Sequence, residues 1–192
     1  MERGARSGRN RRAIIIQGSP RRNGNTDRAC RYVAERIRAS IDTTVVDLFD
    51  LRIERCRGCR ECMRLLDCVI RDDFTELWRE IGRCDIIVQG APVYWYAPPG
   101  IMKDFIDRTH ATYALKRGLE HVRAYLITVA ADSGFENTET VMSSWITAYG
   151  GKIEGRARII ARETGDLERR AENLRSLDRI VEAVLGTHVE QG

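Results

Sequence analysis

Four cysteines lie within thirteen residues of this chain, and their spacing is the pattern that most directly indicates chemistry. Cys56, Cys59, Cys62 and Cys68 follow the pattern C-x2-C-x2-C-x5-C. Two consecutive C-x2-C steps bring three thiolates around one point, as an iron–sulfur cluster requires, and the fourth cysteine is near enough to complete the set. The same thiolates could bind zinc, although zinc sites more often use two separated C-x2-C pairs. A loop whose thiols bind no metal is the third interpretation.

The other candidate side chains do not form a catalytic pattern. Cys30 falls on an apolar helix face and Cys84 lies beside a buried strand, so we expect both in the core. His110, His121 and His188 are scattered along the chain, without the pairing of a nucleophile and a base. A reaction carried by a bound cofactor is consistent with that composition.

A polar loop follows the first apolar run and leads directly into a helical pattern. It extends from Gly18 to Thr26 with the sequence GSPRRNGNT. Free N–H groups at a helix N-terminus, together with hydroxyl groups and an arginine, suit a terminal phosphate dianion. The loop lacks the Gly-Lys-Ser/Thr ending of a Walker A loop and is not the dinucleotide pattern GxGxxG. The alternative is a polar turn in which Asn25 or Thr26 only caps the helix.

Three adjacent aromatic residues follow the third predicted strand. Tyr94, Trp95 and Tyr96 lie in the segment Ala91–Gly100, at the mouth of a strand that we expect to be central. A flat ring system such as isoalloxazine would bury these side chains, and the backbone could bond to its polar edge. Exposed aromatic patches also mark contacts between subunits, and the two interpretations are compatible.

The elements that must position these loops alternate along the chain. Apolar runs at 13–17, 43–48, 85–90, 122–130 and 153–160 predict strands, and helical patterns follow them. Asp73 and Glu76 form a capping-box pattern for a helix through Ile81. Alternating strands and helices predict an α/β domain with a parallel sheet covered on both faces. The uniformly apolar first and third strands are expected at the centre and the alternating fifth strand at an edge. This favours a doubly wound, flavodoxin-like sheet of order 2-1-3-4-5, with ligands at the ends of strands 1 and 3.

Length and charge limit the class of protein. A chain of 192 residues suggests one domain, which we expect at 13–192. Residues 1–12 contain five arginines and one glutamate, which equals the formal net charge of +4, so the remainder is neutral. We expect this basic segment to be a disordered tail. The neutral domain argues against nucleic-acid binding, and no apolar run approaches the roughly 20 residues needed to span a membrane. The N-terminus does not resemble a secretory signal, so we expect a cytoplasmic protein without a disulfide framework.

Taken together, these segments resemble the NADPH-dependent FMN reductase family and, within it, the iron–sulfur flavoproteins. The resemblance is carried by GSPRRNGNT, by PVYWYAPPGIMKDFIDR after strand 3 and by the cysteine segment, and it covers roughly residues 13–160. It implies FMN as cofactor, NAD(P)H as co-substrate and a homodimer with the flavin near the interface. By motif position, the phosphate ligands are Ser19, Arg21, Asn25 and Thr26, the residues that line the isoalloxazine are Pro92, Val93, Tyr94 and Trp95, and the ligands of a [4Fe–4S] cluster are Cys56, Cys59, Cys62 and Cys68.

The expected function is therefore an FMN-dependent NAD(P)H oxidoreductase. Electrons would pass from the nicotinamide through FMN, and through a [4Fe–4S] cluster if the cysteines hold one, to a quinone, a flavin or another small-molecule or protein acceptor. We expect a homodimer or a dimer of dimers. One alternative is a flavodoxin-like electron carrier without substrate turnover, which would not oxidise nicotinamide. The other is a redox-sensing protein that uses the metal and the flavin as sensors.

Overall fold

A parallel sheet of five strands forms the centre of the molecule. The computed structural model describes residues 11–115 and 118–186. The strands are β1 (Arg12–Gln17), β2 (Asp42–Asp47), β3 (Ile86–Pro92), β4 (Arg123–Ala130) and β5 (Lys152–Ile160). They lie side by side in the order β2-β1-β3-β4-β5, and every neighbouring pair is parallel. The predicted flavodoxin-like order 2-1-3-4-5 is confirmed.

Helices cover both faces of this sheet. They are α1 (Asn25–Ile37), α2 (Cys62–Leu65), α3 (Asp73–Ile81), α4 (Gly100–Arg108), α5 (Phe135–Ala148), α6 (Asp166–Arg169) and α7 (Ala171–Leu185). One apolar layer joins the sheet to α1, α6 and α7, and the other joins it to α3, α4 and α5. The backbone of Arg170 is extended and separates α6 from α7. Within the described ranges, no helix combines the length and apolarity needed to span a membrane.

The central strands are buried on both faces, as their apolar sequences predicted. Every residue of β3 is buried, and so are all residues of β1 after Arg12. Gly90 in β3 allows a close approach of α1, because a Cβ atom there would overlap the Cys30 sulfur. Cys30 and Cys84 are both in the core, as predicted, and burial is the largest cause that raises the pKa of the Cys84 thiol to about 12.

The first strand begins earlier than its sequence predicted. Arg12 is the first residue of β1, and its guanidinium pairs with Glu80 at 2.8 Å. Arg11 Nη1 donates to the Val184 carbonyl at 3.1 Å. These two arginines therefore join the folded domain, whereas residues 1–10 of the predicted tail, like His188, lie outside the described residues.

Candidate functional site

A cavity of about 310 Å³ lies at the carboxyl ends of four strands, and we call it the strand-end cavity. The loops after β1, β3, β4 and β5 form its walls, since the carboxyl ends of parallel strands meet at one edge of a sheet. Seven of the eight residues that the sequence singled out for a phosphate and a flat ring line it together: Ser19, Arg21, Asn25, Thr26, Pro92, Val93 and Tyr94. The eighth, Trp95, is not among the lining residues.

The N-terminus of α1 opens into this cavity without a side-chain cap. Its N-cap residue is Gly24, which offers no side chain, so the N–H groups of the first turn are not engaged by a capping side chain. The loop before it is held by a hydrogen bond from Gly18 N to Gly90 O at 2.8 Å. Ser19 Oγ accepts from Arg21 N at 3.1 Å. Free N–H groups at the positive end of a helix, with Arg21 beside them, form an anion-binding arrangement.

Asn25 has a structural role that the sequence did not predict. Its Nδ2 donates to Glu163 O at 2.8 Å, and its Oδ1 accepts from Gly165 N at 3.1 Å. The carboxamide therefore ties the loop after β5 to the start of α1 and is not a helix cap. The simple capping interpretation of the loop is wrong for both Asn25 and Thr26, because Gly24 occupies the cap position.

The aromatic segment after β3 forms a tight hairpin, which we call the aromatic hairpin (Tyr94–Ala97). Tyr94 N donates to Ala97 O at 2.8 Å, and Ala97 N donates back to Tyr94 O at 3.1 Å. Trp95 and Tyr96 have positive φ angles of 50° and 60°, which side chains other than glycine adopt at a cost. This turn directs Trp95 outward, with 95% of its surface exposed.

The loop after β4 seats this hairpin. Gly134 has φ 89°, and a Cβ atom there would lie 2.8 Å from Val93 Cγ1 and 3.1 Å from a ring carbon of Tyr96. The absence of a side chain at Gly134 therefore lets the hairpin approach. Ala130 and Ala131 of the same loop line the strand-end cavity, whereas Gly134 supports the hairpin.

The four clustered cysteines surround a second, much smaller space of about 30 Å³, which we call the cysteine cavity. Its other lining residues are Arg57, Arg60, Val69, Ile70, Asp107, Arg108, His110 and Ala111. None of the cysteines forms a disulfide. Burial is the largest cause that raises the pKa of the Cys62 thiol, and the charges of the other three thiols raise it further. His110 Nδ1 lies 3.8 Å from Cys62 Sγ.

The cysteine cavity is not a compact site for a single ion. Across residues 11–115 and 118–186, no three His, Cys, Asp or Glu side chains lie close enough together to bind one metal ion. A [4Fe–4S] cluster takes one thiolate at each iron, so its four ligands stand apart around the cluster. Four unpaired thiols that line one cavity fit that donor set.

Asp72 is the N-cap of α3, one residue before Asp73, the cap that the sequence predicted. Asp72 Oδ1 accepts from Phe74 N at 3.2 Å, whereas Asp73 Oδ2 accepts from Arg52 N at 2.8 Å. Asp72 is fixed there by a salt bridge to Arg108 with Oδ2 and Nη1 2.6 Å apart. Burial raises the pKa of Asp72, but the Arg108 guanidinium and other hydrogen bonds outweigh burial and hold that pKa below its ordinary value.

Comparison with known sequences places this architecture in a family. Residues 11–161 match the model of the NADPH-dependent FMN reductases. The chain belongs to the NADPH-dependent FMN reductase family. It is 34% identical over 98 residues to an iron–sulfur flavoprotein of Archaeoglobus fulgidus, which covers 50% of this chain and 44% of that protein. It is 28% identical over 145 residues to an iron–sulfur flavoprotein of Clostridioides difficile, covering 73% of this chain and 64% of that protein. This FMN reductase family member thus spans less than two-thirds of each relative.

Solved structures extend the likeness at the level of the fold. An NAD(P)H:quinone oxidoreductase from Methanothermobacter marburgensis matches with a TM-score of 0.67 and 16% sequence identity. The match covers 96% of this chain and 100% of that chain. The predicted resemblance to the FMN reductase family and the predicted fold class are both confirmed.

In this FMN reductase family member, no sequence pattern predicted that the loop after β5 belongs to the site. Ala161, Arg162, Glu163 and Thr164 line the strand-end cavity, although β5 is two strands away from β3. They reach it because Asn25 holds the backbone of this loop, and because Arg162 Nε donates to Ala131 O at 3.2 Å. The only indication in the sequence was that the fifth strand of a parallel sheet also ends at the edge where ligands bind.

Proposed function

We propose that this chain is an FMN-dependent NAD(P)H oxidoreductase that passes electrons to a quinone, a flavin or another small-molecule or protein acceptor. The observation that carries the proposal is the strand-end cavity, in which an uncapped helix N-terminus and the segment Pro92–Tyr94 meet. Membership of the NADPH-dependent FMN reductase family supports the same reaction class. When bound, FMN supplies the ring that takes hydride from NAD(P)H and releases electrons to the acceptor.

The residues of the strand-end cavity fit FMN. The N–H groups at the start of α1, with Ser19, Arg21 and Thr26, would hold the phosphate. Pro92, Val93 and Tyr94 would line the isoalloxazine and keep water from one side of it. The volume of about 310 Å³ lies at the lower end of the range for ligand sites, and one side is open. We propose that the open side admits the nicotinamide and the acceptor in turn.

We propose further that Cys56, Cys59, Cys62 and Cys68 hold a [4Fe–4S] cluster. Support comes from the four free thiols around one cavity and from the two relatives that are named iron–sulfur flavoproteins. Helix α4 begins three residues after the aromatic hairpin and ends at Arg108, which lines the cysteine cavity. Its nine residues span about 13 Å. The two cavities are therefore linked by one short, rigid element.

We propose a homodimer, or a dimer of dimers, in which a second copy covers the aromatic hairpin. Trp95 is 95% exposed and Tyr96 is 59% exposed, and their strained turn keeps them there. Large exposed aromatics that are held rigidly are typical of interfaces and ligand sites. Light scattering at micromolar concentration should give at least twice the chain mass, and a monomer would contradict this part of the proposal. The turnover assay described below determines which acceptor the protein uses and whether it prefers NADH or NADPH.

The deciding experiment is the double substitution Arg21→Ala with Thr26→Ala in anaerobically purified protein. It should weaken FMN binding by several kcal/mol, because hydrogen bonds to a charged group contribute about 1.5–3 kcal/mol each. NADH and NADPH oxidation with quinone or free flavin as acceptor should fall at limiting FMN and recover when FMN is added in excess.

The matched control is Arg22→Ala. Arg22 is the next residue, but it is exposed and pairs with Asp50 outside the strand-end cavity. It should leave the FMN affinity unchanged. Equal FMN affinity in the double variant and the wild type would overturn the assignment of this loop. Bound FMN without any oxidation of reduced nicotinamide would favour the electron carrier without turnover.

A further inference from the structure

A buried ion pair closes the base of the cysteine loop, by which we mean residues 54–72. Arg108 is the last residue of α4, and Asp72 is the cap of α3. Their side chains are 1% and 4% exposed. Arg108 Nη1 donates to Asp72 Oδ2 at 2.6 Å and Nη2 donates to Oδ1 at 3.0 Å, which is the bidentate geometry of a strong arginine–carboxylate pair.

The same guanidinium holds both arms of the loop. Nη1 also donates to the Glu54 carbonyl at 2.8 Å, two residues before the first cysteine. Nη2 also donates to the Ile70 carbonyl at 3.2 Å, two residues after the last cysteine. Asp72 Oδ2 in turn accepts from Glu54 N at 2.8 Å. The ends of a segment without a strand or long helix are thus tied together at one buried group.

One donor of this guanidinium remains unused. An arginine side chain has five N–H donors in a fixed fork, and the four on Nη1 and Nη2 are accounted for by the contacts above. Among the side chains of the described residues, Arg108 Nε is one of three buried N or O atoms without a hydrogen-bond partner. A buried donor without a partner is unfavourable, so Nε is expected to have an acceptor in the working protein.

The sulfur of Cys68 is the candidate acceptor. Cys68 and Arg108 line the same small cavity. Cys56 and Cys59 are exposed, whereas Cys68 is half-buried against the apolar layer that contains Phe74. The Arg108 guanidinium lies over the ring of Phe74, 4.8 Å from its centroid, and so faces the same layer. Aspartate already takes both terminal nitrogens of the fork, which leaves the Nε–H for the sulfur.

We propose that Arg108 is a positioning residue for the cysteine loop, and that its Nε–H donates to the sulfur of Cys68 while its terminal nitrogens hold the two arms of the loop. This deepens the proposed function, because it rests on Cys68 being a ligand of the cluster. One guanidinium then sets the size of the loop and the position of one thiolate before iron is bound. Groups that orient metal ligands in this way strongly affect metal affinity.

The test compares Arg108→Lys, Asp72→Asn and the matched control Arg158→Lys in anaerobically reconstituted protein. Arg158 makes a bidentate contact with Glu139 and does not line the cysteine cavity, so its replacement removes an arginine–carboxylate pair that does not hold the loop. Bound FMN and the far-UV CD spectrum report whether each variant is folded. Iron and sulfide per chain, the rate of iron loss to a chelator and the reduction potential of the cluster are then measured.

Arg108→Lys should lose iron about 10- to 100-fold faster than the wild type, which is the usual effect of removing a group that orients a metal ligand. It should also lower the reduction potential, because a hydrogen bond to a ligand sulfur stabilises the more negative, reduced cluster. Asp72→Asn should loosen the cysteine loop but keep the wild-type reduction potential of the cluster, because the Nε–H of Arg108 remains. Arg158→Lys should change neither. Equal iron loss in Arg108→Lys and Asp72→Asn with the wild-type potential would overturn the contact with Cys68.

A second measurement keeps the proposal testable if Arg108→Lys does not fold. In 15N-labelled metal-free protein, the Nε–H of Arg108 should exchange with water about tenfold faster or more in Cys68→Ala, because its acceptor is removed. Cys56→Ala should leave that exchange at the wild-type rate. Equal exchange in all three proteins would overturn the inference. If the wild type takes up no iron, the cluster proposal fails, and the exchange comparison still decides the role of Arg108.

Discussion

The two cavities of this chain are built from different kinds of backbone. The strand-end cavity is walled by loops that leave four hydrogen-bonded parallel strands, so the sheet fixes their starting points. The cysteine cavity is walled by a segment whose only helix is the four-residue α2, together with the end of α4 and the residues that follow it. The first wall is set by about thirty residues of sheet, and the second is set largely by the Arg108–Asp72 pair.

This difference predicts different responses to change. A cavity walled by strand ends is present before its ligand arrives, so binding orders few groups. The cysteine loop must be ordered by its ligand or by its clamp, because each residue fixed without regular structure costs roughly 1–2 kcal/mol of conformational free energy. We therefore expect substitutions in the loop to affect the metal strongly and the flavin weakly.

The largest expected effect comes from Cys59→Ser, which removes one ligand of the cluster. Anaerobic wild-type protein should contain about four irons and four sulfides per chain, and the variant should contain essentially none. FMN content should be retained, because Cys59 lies in the other cavity. The control Cys84→Ala removes a buried thiol outside the loop and should keep its iron. Wild-type protein with full flavin but neither iron nor zinc would show that the four cysteines bind no metal.

The next effect comes from Asp72→Asn, which leaves the Arg108 guanidinium buried without its counter-charge. Breaking one side of a buried ion pair typically costs about 3–5 kcal/mol, and we expect a loss of that size in urea unfolding at fixed FMN concentration. The control is Glu76→Gln on the same helix, where the pair with Arg79 is exposed and should contribute less than about 1 kcal/mol. Equal losses in the two variants would mean that the clamp does not hold the loop.

The pH dependence of this pair has a definite sign. The folded pKa of Asp72 is depressed, so its contribution to stability is complete above the ordinary aspartate pKa of about 3.9. It is lost as the pH falls through the lower folded pKa, because the carboxyl group must then be protonated in the native state. The stability difference between wild type and Asp72→Asn should therefore be constant near neutral pH and shrink in acid. A difference that grows as the pH falls would contradict the assignment.

The fold could be predicted from the sequence because its signals are local and repeated. Uniformly apolar runs such as Ala13–Gln17 indicated central strands, and the alternation of the fifth strand indicated an edge. The observed ends of helices and strands differ from the predicted ones where a residue distant in the sequence makes a contact. The cap of α3 is Asp72 and not Asp73, because Arg108, 36 residues away, pairs with Asp72. No pattern of three or four residues contains that information.

The candidate site could be predicted where the motif and the wall of the cavity coincide. The loops after β1 and β3 were identified because their own sequences are unusual. The loop after β5 was not, since Glu163 and Thr164 are held at the cavity by the distant side chain of Asn25 and by the contact of Arg162 with Ala131. Trp95 was expected beside the flavin, but the turn of its own hairpin directs it outward. Whether Trp95 contacts the flavin or a second subunit therefore stays a prediction.

A smaller effect is expected from Gly90→Ala, which acts on the sheet side of the comparison. The added methyl group would overlap the Cys30 sulfur and press α1 away from β3, at a cost of about 1–3 kcal/mol. FMN affinity should fall with it, because Thr26 at the start of α1 also contacts that position. Adding Cys30→Ala should restore much of both losses by making room for the methyl group. Iron content should not change in either variant, and a parallel loss of iron would show that the two cavities are not independent.

The smallest effect on stability is expected at Trp95, where two substitutions separate the turn from the side chain. Trp95→Ala and Trp95→Gly both remove the exposed ring, but only glycine relieves the positive φ of 50°. The glycine variant should therefore be more stable than the alanine variant by about 1 kcal/mol. If the ring contacts the flavin or guards its entrance, both variants should slow nicotinamide oxidation equally and alter flavin fluorescence. If the ring only joins subunits, both should dissociate the oligomer while the flavin signal of each chain stays the same. Slower turnover in the glycine variant alone would instead assign the effect to the hairpin backbone, because the two variants share the loss of the ring and differ only in the freedom of that turn.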